Sequence, residues 1–358
     1  MNRRIFCNTV LAAGLLPAAL AQSPHHDVSL SVEFLPTPVR VEDTWLLLYE
    51  LHIRSNGREP IEPTALSIDA VPLNLTSRVA YLDGDARRHA TIYIELPARD
   101  LPARVRHEVE YKIGGTAGAQ RVHDEGVAVR AVPRIALGAP LLGGPWVAVH
   151  SPDWPRGHRR VFYLADGRQV LPGRFAIDWV RVDELGRIAR GDENEVAHHY
   201  GYGAPVLAVA DGRIVAIRDT ASEPATLDAR AKHSVDDASG NYVVLQLPDR
   251  RFAIYEHLQP GSLKVRAGDR VRAGQTLAAL GFTGDSTGPH LHLHVSDVPT
   301  PGKGEGVAYH FQQFSLLGHY RDITQLGKAR WEDRPANLTS SRQLELPASN
   351  AVVTFDST

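Results

Sequence analysis

The stretch GPHLHLHVSD, Gly288 to Asp297, sets His290, His292 and His294 at alternate positions between a Gly-Pro turn and a short apolar run. In an extended strand, successive side chains point to opposite faces. The three imidazoles therefore share one face at intervals of roughly 6.7 Å, and Leu291, Leu293 and Val295 share the other. Such a comb of imidazoles can hold a metal or move protons. A polar face turned to solvent would give the same alternation, so the meaning of this strand depends on what the rest of the chain brings to it.

The rest of the chain reads as all-β. From about 28 to 134, short alternating runs (SLSVEFL, TWLLLYELHI, RHATIYIEL, RHEVEYKI) are separated by Gly, Pro, Asn and Asp clusters. That pattern predicts a β-sandwich-like accessory domain. Residues 135–155 are rich in proline and poor in charge and read as a linker. From 156 to 320 strand-like runs return (RRVFYLA, RFAIDWVRV, PVLAVADGRIVAI, NYVVLQL, RFAIYEHL). They predict a second antiparallel β-sheet domain that includes the histidine strand. A polar, acidic insert lies between Ile217 and Asn241, and both a substrate wall and a plain surface insertion fit it. The last segment, 321–358, reads as a C-terminal tail able to add an edge strand through LELP and AVVTF.

With 358 residues, 43% hydrophobic and 22% charged, the chain has room for two cores. The opening MNRRIFCNTVLAAGLLPAALAQS has basic Arg3 and Arg4, an apolar run and small residues at Ala19 and Ala21. It reads as a signal peptide over 1–21, so the protein is expected to be exported, to the periplasm or the cell exterior. The apolar run is shorter than a membrane span, and no later stretch predicts a transmembrane segment. Cys7, the single cysteine, falls inside the signal, which leaves histidines and carboxylates as metal ligands. A formal net charge of −2 gives no electrostatic case for nucleic acid.

Four segments belong together: RFAIDW (174–179), GNYVVLQL (240–247), IYEHLQPGSLKVRAGDRVRAGQTLAALG (254–281) and STGPHLHLHV (286–295). In that order they resemble the lysostaphin-type, or LytM-like, zinc metalloendopeptidases, which cut peptide cross-links in bacterial peptidoglycan. The resemblance covers roughly 160–300. It implies the family's antiparallel β-sheet fold, zinc as cofactor and peptidoglycan peptides as substrate. Residue by residue, Asp178 and His292 match two zinc ligands, and His257 and His290 match the catalytic histidines that orient the attacking water and stabilise the oxyanion.

The departure is at the family's first ligand, a histidine four residues before the aspartate. Here that position is Arg174, and the motif's glycine is Ala176. A guanidinium stays protonated and has no lone pair to give a metal. Three outcomes remain open. Arg174 pairs with Asp178 or a substrate carboxylate and the site holds no metal; or His294, where the family usually has Glu, turns toward Asp178 and His292; or His158, His198 or His199 comes in from another segment. Two functions follow. One is a peptidoglycan-cutting zinc endopeptidase. The other is a metal-free member that binds peptidoglycan or activates another cell-wall hydrolase.

Other features carry less. GDRVRAGQTLAAL also resembles the hairpin of biotinyl and lipoyl carrier domains, but no matching lysine follows. His25 and His26 read as part of a flexible leader, and His52, His89, His107 and His123 are scattered without ligand spacing. Tyr255 shares a strand face with His257 and suits core packing or a groove wall.

Overall fold

The computed structural model describes residues 28–114, 118–154, 157–336 and 339–356. The expected signal peptide over 1–21, with Cys7, and the pair His25 and His26 lie outside these residues. Among the described residues the helical elements are 3-10 turns of three or four residues, and the rest of the regular structure is β.

The first part is a sandwich of two antiparallel sheets. One runs Val28–Ser31, Thr44–Ser55, His89–Ala98, Val79–Tyr81, with Thr37–Val41 also on Thr44–Ser55; the other runs Gln120–His123, His107–Ile113, Ile61–Ile68, Val71–Leu73. Strand Thr44–Ser55 explains how this sandwich meets the second domain. Its odd positions Leu47, Tyr49, Leu51 and Ile53 pack into the sandwich core with Ile61, Ile92, Val109 and Tyr111. Its even positions face the other way: Leu48 joins the core of the second domain, together with Val39 and Val41, and Glu50 is buried beside it at 2% exposure.

The second part is built on a twelve-stranded sheet. Its centre is the row Gly143–Val149, Ile177–Arg181, Leu291–Ser296, Phe252–Glu256, Tyr242–Gln246. Leu291, Leu293 and Val295 go into the core with Ile177, Trp179, Ala253 and Tyr255, so His290, His292 and His294 are left on the opposite face, as the alternation predicts. Tyr255 serves packing: it is fully buried and its hydroxyl accepts from the Val209 amide at 2.9 Å.

Two expectations are corrected. The 135–155 segment is no free linker: Gly143–Val149 lies inside the sheet, paired with Ile177–Arg181 on one side and Ala351–Phe355 on the other. The 321–358 segment is no appended tail, because Ala351–Phe355 also pairs with His310–His319 and its Ala351, Val353 and Phe355 are core residues. Both stretches were hard to read because their strands are short and become strands only through partners far away in the chain.

Candidate metal centre

Three adjacent strands bring the central groups into line. Asp178 is the cross-strand partner of His292, and His292 is in turn the partner of Glu256. Directly opposed residues share a face, so a carboxylate, an imidazole and a second carboxylate stand in a row on the side away from the core. Strand Phe252–Glu256 then ends at His257, whose backbone is left-handed (φ 62°). A non-glycine residue in that conformation is held by its surroundings. The turn breaks the strict alternation that would have sent the ring to the core, and its imidazole lies beside His290, tilted by 51° with ring centres 4.7 Å apart.

Asp178 is 8% exposed and is surrounded by imidazoles. Its Oδ1 takes His292 Nδ1 at 2.8 Å and faces His290 Nε2 at 3.5 Å. Its Oδ2 takes His158 Nε2 at 2.8 Å and His150 Nδ1 at 3.3 Å. Burial pushes the carboxyl up, but the imidazoles of His158 and His290 and the hydrogen bonds outweigh it and hold Asp178 well below the usual carboxylate range. Burial pushes His257 and His158 down, in His257 well below the ordinary imidazole value. In His290 and His292 the pull of Asp178 overcomes burial and the shift is upward.

Of the residues singled out in the sequence, Asp178, His257, His290 and His292 are brought together. His158 joins them from the turn Gly157–Arg160; its ring lies 4.6 Å from that of His292, edge to face. Gly157 has φ 77°, which glycine adopts freely and which swings the chain into that turn. His294 is buried next to His292, with ring centres 5.2 Å apart, yet it is not among the contacts of Asp178, and neither of its nitrogens has a hydrogen-bond partner among the described residues. Adjacent same-face positions on one strand diverge, which is why His294 lines the cavity instead of meeting the carboxylate. His198 and His199 bond carbonyls of their own loop, at Asp192 and Glu193.

Arg174 is turned away from Asp178. Its Nε donates to Glu50 Oε2 at 2.9 Å, its Nη1 donates to Glu305 Oε2 at 2.7 Å, and its guanidinium lies 3.8 Å above the Phe34 ring. The Arg174 to Asp178 pair, one of the three outcomes left open, does not form; Arg174 pairs with Glu50 of the sandwich and with Glu305 of its own domain.

The donor set suits zinc. His150 Nδ1, His158 Nε2 and an Asp178 oxygen lie within 4.8 Å of one another, and His292 Nδ1 sits on the second oxygen. Imidazoles with a carboxylate, and no thiolate, are a normal zinc set, and three of them leave a position open. Asp178 can be completed into a triad in two ways, with His158 and His292 across its two oxygens or with His158 and His150 at Oδ2. The His158 and His292 side chains are 26% and 9% exposed, against 38% for His150, so the pair His158 and His292 is the better enclosed. His150 carried no motif in the sequence; it is placed only because Val149 is the cross-strand partner of Asp178.

A cavity of about 240 Å³ adjoins these groups, lined by His158, Tyr163, Gly173, Glu256, His257, His292 and His294, with Val235 and Ser239 of the polar insert on its wall. The larger cavity, about 980 Å³, lies elsewhere at the junction of the domains beside Phe34, Arg130 and Arg251, and none of the centre's histidines lines it.

Residues 195–304 match Peptidase family M23. The chain carries an M23 peptidase domain. The matched span holds His257, His290 and His292 and begins after Asp178, beyond the altered first-ligand motif. The M23 domain is similar to the peptidoglycan DD-endopeptidases ShyC and ShyB of Vibrio cholerae. ShyC is 36% identical over 90 residues, 25% of this chain and 17% of that protein. ShyB is 34% identical over 93 residues, 26% of this chain and 18% of that protein. The chain thus spans under a fifth of the length of these curated relatives. Among solved structures, the catalytic domain of the antimicrobial peptidase lysostaphin from Staphylococcus simulans is 26% identical, with 35% of this chain and 86% of that one covered and a TM-score of 0.22. Among the described residues no helix is long and apolar enough to cross a membrane.

One close contact gives a direct test of the turn that carries His158. A Cβ on Gly173 would sit 2.6 Å from the His158 Cβ. Gly173→Ala is expected to push His158 off Asp178 at an overpacking cost of about 1–3 kcal/mol. Competition against a chromophoric chelator should then read weaker zinc binding, and unchanged binding would mean that the His158 turn is free to shift.

Proposed function

We propose that the protein is a zinc metalloendopeptidase that hydrolyses peptide cross-links of peptidoglycan, with His158, Asp178 and His292 as metal ligands. The observation that carries this reading is the arrival of His158 at Asp178, which supplies the imidazole that Arg174 cannot. Zinc bound there would act as a Lewis acid and bring the pKa of a water in the open position to about 7.

The remaining groups suit the two proton tasks of such a reaction. His257 Nδ1 donates to the Thr283 carbonyl at 2.8 Å, which leaves Nε2 with its lone pair free. Burial keeps this imidazole neutral, so it can take a proton from the attacking water. His290 Nδ1 donates to the Gly288 carbonyl at 2.8 Å, and its Nε2 is on the side of Asp178. The upward shift of His290 suits a ring that donates a hydrogen bond to the oxyanion as charge develops. Two imidazoles in contact and shifted in opposite directions make a natural base and acid pair.

The metal-free alternative, a binder of peptidoglycan or an activator of another hydrolase, drew its force from Arg174 closing the metal site. That premise weakens because Glu50 and Glu305 occupy the guanidinium. Export through the segment 1–21 would bring the enzyme to its substrate.

The test is zinc content together with release of peptides from purified peptidoglycan. The parent should hold one zinc per chain and cleave. His257→Ala and His290→Ala should keep the zinc and lose cleavage by about 10²–10⁴-fold. His150→Ala should keep both. A parent that neither retains zinc nor cleaves would overturn the reading.

A further inference from the structure

Glu50 belongs to the sandwich, yet it holds arginines from both turns that border the metal centre. Its Oε1 accepts from Arg159 Nη2 at 3.2 Å, and its Oε2 accepts from Arg174 Nε at 2.9 Å. Arg159 directly follows His158 in the turn Gly157–Arg160 and is 3% exposed. It also pairs with Glu95 and donates to the carbonyls of Ile94 at 3.3 Å and Tyr49 at 3.4 Å. These acceptors lie on Thr44–Ser55 and His89–Ala98, neighbouring strands of the sandwich.

The turn thus has two ends. Arg159 is sunk among groups of one domain, while His158, one residue earlier, reaches the Asp178 carboxylate of the other at 2.8 Å. Among the described residues, Gly157–Arg160 pairs with no strand that could fix its direction. Arg160 also anchors the turn to the sandwich, 3.8 Å over the Tyr93 ring, but the ionic contacts of Arg159 adjoin His158 directly, and a planar guanidinium shared by two carboxylates permits few orientations.

We propose that Glu50 and Arg159 are positioning residues for the metal ligand His158, so that the sandwich, which supplies no ligand, sets the direction of one. This rests on the zinc reading given above. It assigns the N-terminal domain a part in assembling the metal centre.

The test uses the full chain, with zinc affinity read by chelator competition and coordination read from the visible spectrum of the Co²⁺-substituted protein. Arg159→Met is the informative variant. It leaves Glu50 paired with Arg174 and Glu95 paired with Arg78, so no buried acid is stranded. Zinc affinity is expected to fall about ten- to a hundred-fold, as on loss of a group that orients a ligand, with a changed Co²⁺ spectrum and a thermal midpoint near that of the parent. Arg159→Lys keeps the charge but lacks the planar fork that fixes the turn's direction, and the same direction of change is expected if the methionine variant folds poorly. Parent-like affinity and an unchanged Co²⁺ spectrum in either folded variant, with zinc present in the parent, would overturn the positioning role and leave the zinc reading standing. Absence of zinc from the parent would overturn both.

Discussion

His158→Ala is expected to strip the protein of zinc and abolish cleavage of peptidoglycan, although His158 lies twenty residues before Asp178 and outside the family's ligand motif. The reason is geometric. His158 Nε2 and His292 Nδ1 approach different oxygens of one buried carboxylate, each at 2.8 Å, and removal of either leaves two ligands. The loss in affinity should exceed the roughly 10–100-fold that follows from removing a group behind a ligand. Elemental analysis after dialysis against a weak chelator reads this, with Asp178→Ala and His292→Ala as positive controls. If His158→Ala retains one zinc that His150→Ala loses, His150 and not His158 is the ligand beside Asp178 Oδ2.

Arg174→His, the change that would rebuild the family's first ligand, is expected to destabilise the protein without adding a metal. Arg174 is buried against Glu50 and Glu305 and stacks on Phe34, so the new imidazole would stand among acids and not beside Asp178. Breaking a buried pair by removing one partner costs about 3–5 kcal/mol. Because Glu50 keeps Arg159, the lower end of that range is expected. Urea unfolding should show a lower midpoint, and zinc per folded chain should equal that of the parent. A gain in zinc affinity would mean that position 174 can turn toward Asp178.

These two results concern residues that differ in how far the sequence revealed them. The face bearing His290 and His292 follows from two-residue alternation alone, and Asp178 stands out as an acid in an otherwise apolar run. Their mutual contact is a matter of strand register, which the resemblance to a known family supplied. His158 could be named as a candidate but not chosen, because on the positioning role proposed above its direction depends on Arg159 and hence on carboxylates 109 and 64 residues earlier in the chain. Glu50 gave no sign at all. In TWLLLYELHI both faces are buried, one by the sandwich and one by the neighbouring domain, and the usual contrast between inward and outward positions disappears. The same blindness hid Gly143–Val149, whose glycines and proline suggest a connection until the strands on either side are known.

The place of Ala351–Phe355 bears on when the molecule can fold. This strand fills the slot between Gly143–Val149 and His310–His319, pairing Val352 with Val147. Until residue 355 has been synthesised, both neighbours present an unpaired edge, and an open edge invites pairing with other chains. Closing the gap requires contacts between segments very distant in sequence, which makes assembly slow compared with that of local hairpins. A nascent chain would therefore pass through a long interval with its central sheet divided, a state poorly suited to crowding.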